Sequence, residues 1–189
     1  MIKAGIEDKN RVVDILSKSF DDNKSVNYII QQDAKRKQRI RTLMAYSFEI
    51  CYRFGDVFVS DNKKGCALLL APDKKKTTIS TILWDIKLAL SAIGLSNIMR
   101  AVKREAAIKK VHPDEKIYYL WFIGVDDSEQ GKGIGSDLMN SIIKESSLQN
   151  RTICLETSTV KNLPWYEKFG FITYRELDFG YTLYCMKRG

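Results

Sequence analysis

The hydrophobic pattern of the chain is densest in one continuous apolar run, residues 117–125. Nine such residues without polar alternation predict a strand that is buried on both faces and is therefore central in its sheet. Gly124, near its end, favours a bulge or a close backbone approach. An acidic turn, a glycine-rich turn at 130–135 and a helix at 136–147 follow. This order places backbone N–H groups at a helix N-terminus, where a phosphate binds favourably.

The N-terminal half alternates between helical and strand patterns. Apolar residues at helical spacing predict helices at 7–20 and 33–52, with a shorter helical piece at 26–30. Residues 2–5 predict an edge strand, and 57–59 and 66–71 predict two strands joined by a turn. Residues 77–111 predict two amphipathic helices broken near Gly94. Their apolar stripes indicate either core packing or the wall of a substrate pocket.

The C-terminal part predicts a strand at 153–157, a short helix at 162–170 and a closing antiparallel pair at 171–177 and 181–186. The helix after the apolar run acts as a crossover, so the strands at 117–125 and 153–157 should be parallel neighbours. No linker, repeat or low-complexity segment divides the 189 residues, which predicts a single domain.

Composition narrows the class of protein. With 44% hydrophobic residues the chain is globular, and no apolar run reaches membrane-spanning length. The N-terminus lacks the apolar core of a signal peptide. The four cysteines are far apart, which indicates buried thiols in a reducing compartment and no metal site. We therefore expect a cytoplasmic protein without a membrane partner.

The formal net charge of +8 favours an anionic partner. A basic face on the helix at 33–52 contributes to it; its members are Lys35, Arg36, Lys37, Arg39 and Arg41. There is no basic–aromatic repeat and no zinc or RNA-recognition motif, so we expect no specific nucleic acid partner. An anionic cofactor accounts for the same charge.

The glycine turn by itself admits two cofactors. Glu156 ends the next predicted strand, where a dinucleotide-binding fold places its ribose-binding acid. Against a dinucleotide, five residues separate Val125 from Gly131, whereas that fold has the glycine at the strand end. The chain also has only one convincing βαβ unit, and it comes late.

Two motifs carry a family resemblance. Residues 130–135, Gln-Gly-Lys-Gly-Ile-Gly, match the pattern Gln/Arg-x-x-Gly-x-Gly/Ala, and residues 162–171 follow as Asn-x-Pro-x-Tyr-Glu-x-x-Gly-Phe. In this order and context the chain resembles the GNAT superfamily of N-acetyltransferases, and is most similar to the puromycin N-acetyltransferase-like branch. The resemblance is clear over 112–187 and schematic over 1–111.

This resemblance implies a fold and different roles for the two parts of the chain. The expected fold is α/β, with a mixed central sheet of about six to seven strands flanked by helices. A central parallel pair should splay apart at the cofactor site. Within the single domain 1–189, residues 112–187 would form the acetyl-CoA-binding core, and residues 1–111, including the extra helices at 77–111, the acceptor side.

The resemblance also implies acetyl-CoA as cosubstrate and names its contacts. The pantetheine arm would lie along the end of the central strand, at Phe122, Ile123, Gly124 and Val125. The pyrophosphate would lie in the turn formed by Gln130, Gly131, Lys132, Gly133, Ile134, Gly135 and Ser136. Asn162 would contact the pantetheine arm, or it is simply the N-cap of its helix.

The resemblance also implies roles for some of the catalytic residues. Tyr166 aligns with the family tyrosine that protonates the leaving thiolate. The Val125 N–H is the candidate donor to the thioester carbonyl oxygen. For the general base the sequence leaves several candidates open. Glu156 is preferred, Glu49 and Asp178 are weaker, and a water relay through Tyr118 or Tyr119 and the single histidine, His112, remain alternatives.

The expected function is acetyl transfer from acetyl-CoA to a primary amine of a small molecule, or of a peptide, by direct attack in a ternary complex. A CoA-binding module without catalysis and a basic nucleic-acid-binding protein are the alternatives. We expect a monomer or homodimer. Five aromatic residues either line an apolar acceptor pocket or belong to the core: Tyr28, Phe48, Trp84, Tyr119 and Trp121.

Overall fold

A seven-stranded mixed sheet with helices on both faces organises the chain. The computed structural model describes residues 1–189. The strands are β1 Ile2–Lys3, β2 Gly55–Val59, β3 Gly65–Leu70, β4 Ile117–Val125, β5 Thr152–Thr157, β6 Ile172–Asp178 and β7 Thr182–Arg188. The helices are α1 Lys9–Ser19, α2 Lys24–Ile29, α3 Arg36–Phe54, α4 Ile79–Leu88, α5 Ile98–Val111, α6 Ile134–Leu148 and α7 Leu163–Lys168. The mixed α/β architecture is the predicted one.

Strand β4 occupies the centre of the sheet, whose order is β1-β2-β3-β4-β5-β7-β6. It pairs antiparallel with β3 and parallel with β5, and α6 makes the crossover between β4 and β5. The predicted central position, parallel neighbour and bounds of this strand are confirmed. Its long apolar run is explained by helices that cover both faces of the sheet.

The bulge in β4 lies at Trp121 and not at Gly124. Leu68 of β3 faces Phe122, and the next β3 residue, Leu69, faces Leu120, so Trp121 is the extra residue. Gly124 instead provides a close approach, because a Cβ there would lie 2.9 Å from Leu16 Cδ2. The missing side chain lets α1 pack directly on the end of β4.

Two hydrophobic cores lie on opposite faces of the sheet. One packs α1 and α3 against β2, β3 and β4, with Phe48 and Met44 fully buried in it. The other lies under α6 and α7 and contains Tyr118, Met139 and Phe171. Phe48 is therefore a core residue, and it lines neither the cleft nor the second cavity described below.

The segment 77–111 departs from the expectation of core packing. It breaks at Gly94, as predicted, where φ is +76° after a π-helical turn at Ala89–Ile93. The apolar stripe of α4 and the turn after it, however, faces outward: Ile79, Ile82, Leu83, Ile86 and Leu90 are between 46% and 81% exposed. Helical periodicity in the sequence predicts an apolar stripe, but only the packing of the whole domain determines whether other residues cover that stripe.

No single helix is long and apolar enough to cross a membrane. The bent pair Ile79–Ile93 and Leu95–Val111, whose halves meet at 103°, passes that test jointly, by length and composition only.

We predict that Gly55→Ala destabilises the fold. Gly55 follows α3 and opens β2, and a Cβ at this position would lie 2.0 Å from the Leu69 carbonyl oxygen, a backbone atom that cannot move away cheaply. We expect the free energy of unfolding in urea to fall by about 3 kcal/mol. Gly135→Ala is the matched control, because its Cβ would meet only ordinary contacts at 3.7 Å. Equal stability of the two variants would contradict the clash.

Candidate active site

The candidate site is created where β4 and β5 separate. The two strands pair only over their first three positions, from Ile117 with Thr152 to Tyr119 with Cys154. Beyond Tyr119 they diverge, although β4 continues to Val125 and β5 to Thr157. A cleft of about 980 Å³ opens between the diverging ends. This is the splayed central pair that the family resemblance implied.

Backbone groups of β4 face this cleft. The Asp126 N–H donates to the Lys64 carbonyl oxygen at 2.8 Å, so Lys64 and Asp126 form a hydrogen-bonded pair of the β3–β4 ladder. Because bonded and non-bonded pairs alternate, the N–H groups of Val125 and Ile123 point away from β3, toward the separation from β5. The alternation of the ladder beyond the bulge thus leaves the Val125 N–H without a partner on β3.

The glycine turn forms the floor at one end of the cleft. Gly131 and Gly133 have φ of +77° and +88°, a conformation that glycine adopts without steric cost. Nothing lies within 4 Å of the position that a Cβ would occupy at either residue. Helix α6 begins directly afterwards, at Ile134, and its first N–H groups have no partner within the helix. An anion can approach this backbone closely.

The structure brings nearly all predicted cofactor residues to this one cleft. Those that line it are Phe122, Ile123, Gly124, Val125, Gln130, Gly131, Gly133, Ile134, Gly135, Ser136, Asn162 and Tyr166. Lys132 is the exception: its Nζ lies 3.1 Å from Glu129 Oε2, and the side chain does not line the cleft.

Asn162 lies at the start of α7, yet its side chain makes no capping hydrogen bond there. Asn162 thus occupies the predicted N-cap position, but its side chain does not cap the helix. Because the residue lines the cleft, its amide is free to meet a ligand. Pro164 in the first turn and Gly170, with φ of +80°, bound this helix as the sequence predicted.

Tyr166, on α7, is 7% exposed and lines the cleft. Its ring packs edge-on against Trp165 and Phe171, at centroid distances of 4.9 and 5.8 Å. Burial raises the pKa of its phenol above the ordinary value. The hydroxyl therefore carries its proton at neutral pH and can act as a donor.

Three of the predicted base candidates meet in one buried cluster. The Glu156 side chain is 3% exposed and accepts a hydrogen bond from the Tyr119 hydroxyl. His112 Nε2 lies 3.2 Å from the other carboxylate oxygen. Burial, with Glu156 beside it, raises the pKa of Tyr119, so that phenol stays protonated.

The other two acidic candidates lie elsewhere in hydrogen-bonded positions. Glu49 pairs with Lys9, whose Nζ lies 2.5 Å away. Asp178 accepts the Gly180 N–H at 2.8 Å at the end of β6. Neither lines the cleft, whereas Glu156 does.

A second cavity of about 400 Å³ adjoins the cleft. The two share six lining residues: Phe20, Asn23, Trp121, Phe122, Glu156 and Ser158. Residues of α4 and α5 wall its far side, among them Asp85, Leu88 and Glu105. Tyr119 and Trp121 line it as well, whereas Tyr28 and Trp84 do not.

Sequence reasoning missed two polar residues of this second cavity. Arg104 donates to Ser25 Oγ at 2.5 Å and to the Tyr181 hydroxyl at 3.2 Å, and no carboxylate pairs with it. Ser158 is buried, and its hydroxyl has no protein partner. Neither residue belongs to a recognisable sequence motif. The partners of Arg104 lie far away in the chain and come close only through tertiary packing.

The four cysteines are buried and free. Burial, then nearby carboxylates, raise the pKa of Cys154 to about 12, so this thiol is not an activated nucleophile. No group of three or more His, Cys, Asp or Glu side chains is arranged to hold a metal ion.

Comparison with known proteins is consistent with this geometry. Residues 97–173 match the family model described as acetyltransferase (GNAT) domain. An uncharacterized N-acetyltransferase of Schizosaccharomyces pombe is 28% identical over 151 residues. That alignment covers 72% of this chain and 60% of the relative, so the chain spans less than two thirds of the relative's length.

Solved structures share the fold over almost the whole chain. A structure of histone acetyltransferase HPA2 and related acetyltransferase from Corynebacterium glutamicum has a TM-score of 0.73 at 19% identity, covering 98% of this chain and 93% of that one. Arylalkylamine N-acetyltransferase 2 from Aedes aegypti has a TM-score of 0.61 at 16% identity, covering 99% and 96%. The splayed cleft thus belongs to a chain with the GNAT fold, whose residues 97–173 carry the sequence signature of the GNAT acetyltransferase domain.

Proposed function

We propose that the protein is an N-acetyltransferase that moves an acetyl group from acetyl-CoA to the primary amine of a small molecule. One observation carries the proposal: the separation of β4 from β5 joins a phosphate-type turn, free strand N–H groups and a buried tyrosine in a single cleft. That cleft continues into a second cavity with a carboxylate, Glu156, at the junction.

The chain's residues fit acetyl-CoA at three places. The glycine turn and the first turn of α6 offer backbone N–H groups to the pyrophosphate. The Ile123 N–H can donate to an amide carbonyl of the pantetheine arm, as an added strand would. The Asn162 amide faces the same space. When bound, the cosubstrate supplies a thioester carbonyl to be attacked.

The second cavity suits the acceptor. Glu156 is placed to take a proton from an ammonium group, with His112 and Tyr119 holding its carboxylate. Apolar and aromatic side chains, including Trp121 and Phe122, make up much of the wall. About 400 Å³ accommodates a small amine with an apolar body, which favours a small molecule over a peptide.

Proton transfers complete the proposed reaction. Attack of the neutral amine on the thioester carbonyl forms the amide bond and releases the thiolate of CoA. Glu156 accepts the ammonium proton before the attack, and Tyr166 donates its proton to the leaving sulfur. The proton that the new amide nitrogen loses then returns to the Tyr166 oxygen. The Val125 N–H remains the predicted donor to the carbonyl oxygen. Membership of the puromycin N-acetyltransferase-like branch and a cytoplasmic location also stay predictions.

The alternative of nucleic acid binding has less support. Three of the five basic side chains that suggested it form ion pairs with aspartates: Arg36 with Asp21, Arg39 with Asp33, and Arg41 with Asp14. The face at 35–41 is therefore largely neutralised by its own neighbours.

Our first prediction here concerns cofactor binding. Isothermal titration should give a Kd for CoA in the range of about 1–100 μM. Gly133→Ala should weaken binding by about tenfold or more, because the new Cβ fills the space where a phosphate would approach. Gly180→Ala is the matched control: φ there is +79°, the surroundings are equally open, and the residue does not line the cleft. Equal losses at both positions would show that backbone strain alone is responsible.

The role of Tyr166 is tested by Tyr166→Phe. We expect kcat to fall by about 10²–10⁴-fold with a primary amine acceptor, while the Kd for CoA changes by less than about twofold. Tyr174→Phe is the control, because it removes a phenol hydroxyl that is buried without a partner and lies outside the cleft. Unchanged turnover in Tyr166→Phe would remove it as the acid. CoA binding without acetylated product from any amine would favour a non-catalytic module.

The role of Glu156 is tested by Glu156→Gln. We expect kcat/KM at neutral pH to fall by about 10²-fold or more, with partial recovery at alkaline pH, where more of the amine is already neutral. Glu49→Gln, which alters the runner-up carboxylate, should leave the pH profile unchanged. If Glu49→Gln lost activity and Glu156→Gln kept it, the assignment of the base would be reversed. Thermal unfolding of both variants separates activity loss from misfolding.

A further inference from the structure

The outer surface of α4 and α5 carries an unusual concentration of apolar side chains. Of fourteen large hydrophobic residues that are exposed in the whole chain, eight come from this one segment: Ile79, Ile82, Leu83, Ile86, Leu90, Leu95, Met99 and Val102. Exposed apolar residues are normally scattered singly over a surface. A contiguous run of this kind indicates a surface that another body covers.

The eight residues form two helical stripes. On α4 and the π-helical turn after it, the spacing is i, i+3, i+4, i+7 and i+11, counted from Ile79. Leu95, Met99 and Val102 give a second stripe on the helical stretch after Gly94. The opposite sides of the helices face the protein, through buried residues such as Thr81 and Ile108. Both helices are thus amphipathic, with their outer apolar faces uncovered.

The charge of the same segment is strongly basic. Residues 74–111 contain nine Lys or Arg and two acidic residues, so they hold +7 of the chain's net +8. Eight of the nine cations are exposed and in no ion pair: Lys74, Lys75, Lys76, Lys87, Arg100, Lys103, Lys109 and Lys110. The two acids, Asp85 and Glu105, line the second cavity.

We propose that the α4–α5 surface docks on an anionic lipid bilayer. The apolar stripes would enter the boundary between headgroups and acyl chains, while the lysines contact lipid phosphates and carboxylates. The two short stretches meet at 103°, a geometry that suits helices lying in the plane of the interface. Docking on a bilayer does not depend on the proposed acetyl transfer.

Charge decides between a membrane and a second copy of the chain. A two-fold dimer through this surface would place the same +7 segment against itself, which is repulsive. An anionic bilayer satisfies both the apolar stripes and the cations. Docking would also bring to the membrane the helices that wall the second cavity, since Val102 is both exposed and part of its lining.

The test is co-sedimentation of the full chain with vesicles. One set is phosphatidylcholine alone, and the other is phosphatidylcholine mixed with phosphatidylserine. We expect partition onto the anionic vesicles to be stronger by about 100-fold or more, weakening as salt is raised. Absence of binding to anionic vesicles at low salt would overturn the proposal.

Two sets of variants assign the binding to this surface. The double change Leu83→Ser and Leu90→Ser should reduce partition by about tenfold or more. Leu148→Ser with Val160→Ser is the matched control, because those residues are 74% and 61% exposed elsewhere. Replacing Lys74, Lys75 and Lys76 by Gln should reduce partition by about 100-fold. The control set, Lys35, Lys37 and Lys144 by Gln, removes the same charge from exposed positions outside the segment.

Equal losses in test and control variants would overturn the assignment. So would a concentration-dependent dimer, measured by sedimentation velocity without lipid, that the change Leu83→Ser abolishes, since the covering body would then be a second copy. Unchanged thermal unfolding of each variant shows that the fold is intact.

Discussion

The structure depends on the loss of pairing between β4 and β5 after three residues. A sheet normally satisfies its backbone groups with the neighbouring strand, and here the C-terminal halves of two central strands leave theirs facing a cleft. On its other edge β4 remains paired with β3, with the single bulge at Trp121. One edge of β4 therefore supports the sheet while the other stays open for a ligand. The glycine turn, α6 and α7 are all arranged around that opening.

The same separation places the acid–base groups. Cys154 is the last β5 residue paired with β4, so Glu156 lies just beyond the pairing, where the cleft meets the second cavity. His112, from the segment before β4, and Tyr119, within β4, both reach the carboxylate. Tyr166 approaches the cleft from α7. The proposed proton acceptor and proton donor thus belong to different elements, β5 and α7, which both line the cleft.

The helices α4 and α5 lie between this site and the protein surface. Their inner sides wall the cavity beside Glu156, and their outer sides carry exposed apolar stripes among lysines. A helix with apolar residues on one side ordinarily buries that side in its own protein. Here the sheet is already covered on both faces by α1, α3, α6 and α7, so no core remains for these stripes. What they contact lies outside the chain.

The sequence by itself determined the order of the elements, the bounds of β4, the break at Gly94, the glycine turn and the helix with Asn162 and Tyr166. These features are encoded in residues close together in the chain, through periodicity, turn chemistry and two spaced motifs. Only the tertiary structure decided the bulge at Trp121, the contact of Glu156 with His112, and the partners of Arg104. It also decided that the α4 stripe faces outward. Contacts between residues far apart in the chain depend on how the whole domain packs, and no local pattern records them.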